Sequence, residues 1–112
     1  MSNFRISRLS EDIKRELSII IKQLKDYRIS DMISIIRVEL SNDLSYCKVY
    51  VSCIKGLSST KESIKGLESA NGYIKKEISN RIEMRKIPKF IFIADDSIEY
   101  SQSINKILDD IL

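Results

Sequence analysis

Between residues 5 and 25 the apolar positions Ile6, Leu9, Ile13, Leu17, Ile20, Ile21 and Leu24 fall mostly three or four apart, with Arg8, Glu11, Lys14, Arg15 and Lys22 largely off that stripe. That spacing is one face of a helix, and neither Gly nor Pro breaks it. From Met32 to Ser41 the period becomes two: Met32, Ser34, Ile36, Val38 and Leu40 fall on one side, and Ile33, Ile35, Arg37 and Glu39 on the other. Ser41-Asn42-Asp43 is a turn by composition, because Asn and Asp tolerate left-handed backbone and bond to it locally. Leu44 to Ile54 alternates again, Cys47, Val49, Val51 and Cys53 against Tyr46, Lys48, Tyr50 and Ser52. Two such runs around a short polar turn predict an antiparallel hairpin.

A short loop, Lys55–Ser58, precedes Ser59-Thr60-Lys61-Glu62, whose Ser-x-x-Glu spacing predicts a helix starting near Thr60 with a capping box. Ile64, Leu67, Ala70, Ile74, Ile78 and Ile82 continue one helical face, but Gly72 interrupts it. Glycine inside a helix costs about 1 kcal/mol relative to alanine, so a kink is expected near Ala70–Gly72, with the helix resuming to about Arg81. Ile82–Ile87 is a basic connector, and Pro88 permits the start of a strand, Lys89–Ala94. Asp95-Asp96-Ser97 ends that strand, and Asp96 with Glu99 predicts a last helix over 97–111 with Ile98, Ile104, Ile107, Leu108 and Ile111 on its apolar face. The pattern is α+β, with a three-stranded sheet and helices on one of its faces, in a single domain of 112 residues.

Composition narrows the class. A chain that is 43% hydrophobic and 31% charged reads as an ordinary globular protein rather than a disordered one. No apolar run approaches the ~20 residues that span a bilayer, and Met1-Ser2-Asn3-Phe4-Arg5 lacks the apolar segment of a signal peptide, so the expected location is the cytoplasm. The net charge of +3 hides an asymmetry: residues 72–89 hold six Lys/Arg against two acids, whereas residues 95–112 hold one Lys against five acids. One surface is therefore suited to a polyanion and another to something else.

Catalytic chemistry has little to stand on. Cys47 and Cys53 lie six residues apart on one predicted strand, roughly 20 Å, against the ~6 Å a disulfide tolerates. They read as two buried thiols, and with no histidine in the chain neither a zinc site nor an activated thiolate is expected. Asp95 and Asp96 are adjacent carboxylates at a strand end, where Mg²⁺ sites occur, but the helix cap accounts for Asp96. No Gly-rich phosphate loop of standard spacing is present. No catalytic residue, metal or cofactor is assigned, and a non-enzyme is expected. The candidate surface is instead the kink and its basic flank. Near Gly72 a helix N-terminus would offer backbone N–H groups with no side chain in the way. Lys75, Lys76, Arg81, Arg85, Lys86 and Lys89 would supply charge, and Tyr73 could stack on a base. Arg5, Arg8 and Arg15 on the first helix are secondary candidates. The competing reading is a protein-interaction module that uses the acidic C-terminal helix.

The order helix–strand–strand–helix–kink–helix–strand is that of a type II KH domain, and several segments resemble the bacterial ribosome-binding factor A family. Ser41-Asn42-Asp43-Leu44-Ser45 followed by Lys48-Val49-Tyr50-Val51-Ser52 looks like that family's hairpin. Leu67-Glu68-Ser69-Ala70-Asn71-Gly72-Tyr73-Ile74-Lys75-Lys76-Glu77 resembles its helix–kink–helix, where Ala-x-Gly replaces the Gly-x-x-Gly of ordinary KH domains. Arg85-Lys86-Ile87-Pro88 and Phe92-Ile93-Ala94-Asp95-Asp96-Ser97 match its connector and third strand, so the likeness runs colinearly over nearly the whole chain. The resemblance implies a cold-shock-associated assembly factor, a monomer that binds the free 30S subunit near its neck and helps the 5′ region of 16S rRNA mature. It implies rRNA contacts at Ala70, Asn71, Gly72, Tyr73, Lys75, Lys76, Arg81, Arg85 and Lys86. Two departures are visible: the chain ends in the acidic Asp109-Asp110-Ile111-Leu112 rather than a basic extension, and without Gly-x-x-Gly the usual four-nucleotide KH grip is not implied.

Overall fold

The computed structural model describes residues 4–95, and the expected helix over 97–111 lies outside them. The elements are α1 (Phe4–Gln23), β1 (Ile33–Leu40), β2 (Tyr46–Cys53), α2 (Leu57–Ser69), α3 (Asn71–Arg81) and β3 (Lys89–Ala94). The sheet order is β1-β2-β3, with β2 antiparallel to β1 and parallel to β3. This is the type II KH arrangement. A parallel β2–β3 pair needs a crossover, and the α2–α3 arm provides it on the core face.

The core is one layer between sheet and helices. Cys47, Val49 and Val51 of β2 and Phe90 and Phe92 of β3 meet Ile13, Leu17 and Ile20 of α1, Leu67 of α2, and Ile74 and Ile78 of α3. The other sheet face carries Arg37, Glu39, Tyr46, Tyr50, Lys89 and Ile91, and no described element packs on it. Both cysteines are free and buried, and burial pushes the Cys47 thiol up to about 12.

Two sequence expectations are corrected. Strict alternation in β1 fails because Ile36 is a bulge: Ile35 pairs with Val51 while Arg37 already pairs with Tyr50. The extra residue switches the faces, so Ile33 and Ile35 join Val38 and Leu40 over the core, and Ser34 is exposed. The capping box does not form. Helix α2 starts three residues early, after Gly56 at φ +117°, a conformation that excludes side chains in practice. The Thr60 hydroxyl donates instead to the Gly56 carbonyl (3.0 Å) and accepts from the Cys53 amide (2.9 Å), tying the helix start to β2. The kink expected near Ala70–Gly72 is present and lies at Ala70, with φ −92° and ψ 9°, while Gly72 is an ordinary helical residue of α3.

Ser69 accounts for part of that break. Its hydroxyl donates to the Lys65 carbonyl (3.1 Å) and accepts from the Arg28 guanidinium (3.0 Å), so α2 is held at its last residue by the α1–β1 loop. Gly66 lets that loop approach, since a Cβ there would sit 2.6 Å from Ile29 Cγ1. The hairpin turn contains the one non-glycine residue with positive φ among those described, Leu44 at +62°, a geometry that costs roughly 1–2 kcal/mol. Asp43 holds the turn through bonds from the Ser45 amide (3.0 Å) and the Ser41 hydroxyl (2.9 Å), which keep its carboxyl down at about 2.

Candidate nucleic-acid interface

Helix α3 is built with one face for the core and one for solvent. Ile74 and Ile78 are fully buried, four residues apart. Asn71, Gly72 and Tyr73 form its first turn, ahead of the first intrahelical bond, from the Ile74 amide to the Ala70 carbonyl (2.9 Å). A Cβ on Gly72 would meet nothing within 4 Å, so neither space nor backbone geometry in the fold requires glycine there. What it provides is bare backbone at the surface. Tyr73 beside it is 49% exposed, with its hydroxyl 3.4 Å from Glu77. Ala70 and Asn71 are half-buried, and the Asn71 side-chain oxygen has no hydrogen-bond partner among the described residues.

Lys75 and Lys76 follow, the first half-buried and the second exposed, and among the described residues neither ammonium group has an ion pair or hydrogen bond. Together with Gly72 and Tyr73 they make a contiguous surface with free cations, exposed backbone and one aromatic ring. Such a surface has the groups that neutralising phosphates and stacking a base require.

The structure separates the remaining candidates. Arg81 is engaged inside the fold: its guanidinium donates to Glu16 (3.3 Å) and Gln23 (3.4 Å) of α1 and lies 3.8 Å from Glu77. It fastens α3 to α1 and is no free cation. Arg15 is likewise shared between Asp12 (3.3 Å) and Glu16 (3.8 Å). Lys86 reaches the Ser45 hydroxyl (3.4 Å) at the hairpin. Lys89 is exposed at the start of β3 and alternates with Phe90 and Phe92, which places it on the sheet face opposite the helices. Arg85 is exposed on the connector and shares a concavity with Arg5 and Arg8 of α1.

Two contributors escaped the sequence. Arg28, which falls on no periodic face, anchors the end of α2 at the break; the acid two residues before it, Asp26, is the available signal. Leu44, an aliphatic residue in an otherwise polar turn, lines the concavity with Met84. Among the described residues no helix is long and apolar enough to cross a membrane.

The family model described as ribosome-binding factor A matches residues 5–108. Ribosome-binding factor A of Caldanaerobacter subterraneus subsp. tengcongensis is 47% identical over 106 residues, covering 94% of this chain and 87% of the other. Among solved structures, the crystal structure of ribosome-binding factor A from Thermus thermophilus superposes with a TM-score of 0.72 at 26% identity, covering 80% of this chain and 93% of that one. A homology model of the Thermus thermophilus protein, fitted into a cryo-EM map of its complex with the 30S subunit, gives a TM-score of 0.67 at 26% identity, with the same coverage.

Proposed function

The chain belongs to the ribosome-binding factor A family, and on that premise we propose that it is a non-catalytic assembly factor for the small ribosomal subunit. It binds free 30S particles as a cytoplasmic monomer, acts during cold adaptation and assists maturation of the 5′ region of 16S rRNA. The observation that carries this reading is the pair of cations, Lys75 and Lys76, that have no partner among the described residues and stand beside the bare backbone of Gly72. Folding leaves that charge unused, and phosphate is the partner that best matches it. Tyr73 stacks on a base, Ala70 sets the angle at which α3 meets the RNA, and Arg85, Lys86 and Lys89 contribute further charge around the connector. Arg81 acts indirectly by holding α3 in place.

Sedimentation with purified 30S and 70S particles tests this. The wild-type protein is expected to pellet with 30S particles alone, with an affinity that falls steeply as salt rises. The double variant Lys75→Glu, Lys76→Glu should lose the interaction and flatten the salt slope by about two, while its melting temperature stays unchanged. Undiminished 30S binding by that variant would remove α3 from the interface.

A further inference from the structure

The concavity that holds Arg85 is lined by none of Gly72, Tyr73, Lys75 and Lys76. It is formed by the first two turns of α1, the hairpin turn and the α3–β3 connector, and encloses about 390 Å³. That falls within the range of small-ligand sites. Its walls divide by chemistry. Leu9, Leu44 and Met84, with Ile6, are its apolar lining, and all four also pack against the core, so we take them as its floor. The exposed Arg5, Arg8 and Arg85 make no ion pair or hydrogen bond among the described residues. Of the two carboxylates at the edge, Asp12 is already engaged by Arg15 (3.3 Å), leaving Glu83.

Guanidinium groups around an apolar floor match an object with one flat, weakly polar part and anionic parts on either side. We propose that this cleft takes the base of one unstacked nucleotide of single-stranded RNA, with the flanking phosphates held by Arg5, Arg8 and Arg85. An RNA duplex cannot satisfy it, because a paired base has no face to lay on the floor. Arginine rather than lysine suits the rim, since its planar fork grips phosphate through two bonds and can stack on a neighbouring base. The left-handed backbone of Leu44 acquires a use here: it brings the Leu44 side chain to the floor from a turn that is otherwise polar. The cleft would be a second RNA contact of the same protein, and this inference rests on the RNA-binding reading above.

The test is a titration of the full chain with hexauridylate, whose bases are largely unstacked, followed by NMR of the Met84 and Leu44 methyl groups and of the α3 amides. Upfield ring-current shifts of both methyl signals are expected with the hexamer, and none with a short RNA duplex or with inorganic phosphate. Arg5→Ser with Arg8→Ser, two exposed residues without internal bonds, should weaken hexauridylate binding about tenfold at low salt and flatten the salt slope by about 1.4. Methyl signals that stay in place while α3 amides move would overturn the cleft and leave the assembly-factor reading intact. Equal methyl shifts with phosphate would also overturn it, reducing the site to an anion patch. Methyl and α3 signals that all stay in place would overturn it too, and 30S sedimentation would then decide the fate of the wider reading separately.

Discussion

Gly66 and Gly72 lie six residues apart on either side of the break at Ala70, and their surroundings are opposite. Gly66 is buried at the end of α2, pressed by Ile29 and Asp26 of the α1–β1 loop. Around it the polar groups are spent internally: Arg28 on Asp26 (2.7 Å) and Ser69 (3.0 Å), and the Ser63 hydroxyl on the Ser30 amide (2.9 Å). Gly72 faces open space, with Lys75, Lys76 and an unpartnered Asn71 oxygen nearby. Beside Gly66 the polar groups are tied to one another, whereas beside Gly72 the two lysines have no partner among the described residues. A glycine that stability requires and a glycine that stability would discard can thus occupy one helical arm, and only the second points to a partner.

Substitution by alanine separates the two most sharply. At Gly66 the new Cβ would lie 2.6 Å from Ile29 Cγ1 and 3.3 Å from Asp26 Cγ, neither of which is a freely moving chain end. Gly66→Ala should destabilise the protein by about 1–3 kcal/mol in urea unfolding, outweighing the helical preference of alanine. An unchanged midpoint would mean that the loop swings away at no cost and that the anchored side of the comparison is not anchored.

Gly72→Ala should go the other way. The methyl group meets no neighbour and the backbone is already helical, so stability should rise by up to about 1 kcal/mol. Affinity for 30S particles should fall nonetheless, because the added carbon stands where phosphate approaches backbone. A gain in stability with unaltered 30S binding would show that Gly72 is merely tolerated and would shift the interface towards the lysines alone.

These two positions also mark how far the sequence could be read. The element order, the hairpin, the third strand and the burial of Ile74 and Ile78 follow from periodicity alone, because the period of a buried face survives whatever packs on it. Gly72 drew attention as a helix breaker because propensity is a local quantity. The tether beside the break, from Arg28 to Ser69, spans 41 residues, which no local pattern encodes. The bulge at Ile36 was hidden for a related reason: Ile35-Ile36 is apolar on both sides, so alternation cannot say which residue is the extra one. The capping box of Ser59 and Glu62 failed because α2 already begins at Leu57, so that Thr60 bonds the Gly56 carbonyl and the Cys53 amide of β2 from inside the helix. Among the cations, sequence supplied the positions but not their state. Arg81 and Arg85 are four residues apart and look alike, yet one is locked to Glu16 and the other has no partner among the described residues.

The smallest expected effect concerns acid. The Arg28 side chain, through its bonds to Asp26, holds that carboxyl at about 2, below the usual value near 3.9. A group with a lowered folded-state pKa adds stability above its unfolded value and loses it as pH falls through the folded one. The Asp26 contribution should therefore be complete above pH 4 and fade between about 4 and 2. Asp43, held down by Ser45 and Ser41, fades over the same window at the other end of the molecule. Arg28→Ala should therefore make the acid limb of a melting-temperature profile shallower without flattening it, because Asp43 remains. It should also lower the melting temperature near neutral pH. Lys75→Ala with Lys76→Ala should leave both limb and plateau where they were, since no described carboxylate depends on those ammonium groups. If the lysine variant reshaped the acid limb as much as Arg28→Ala did, the charge beside Gly72 would be part of the fold, and the distinction between spent and retained charge would fail where it matters most.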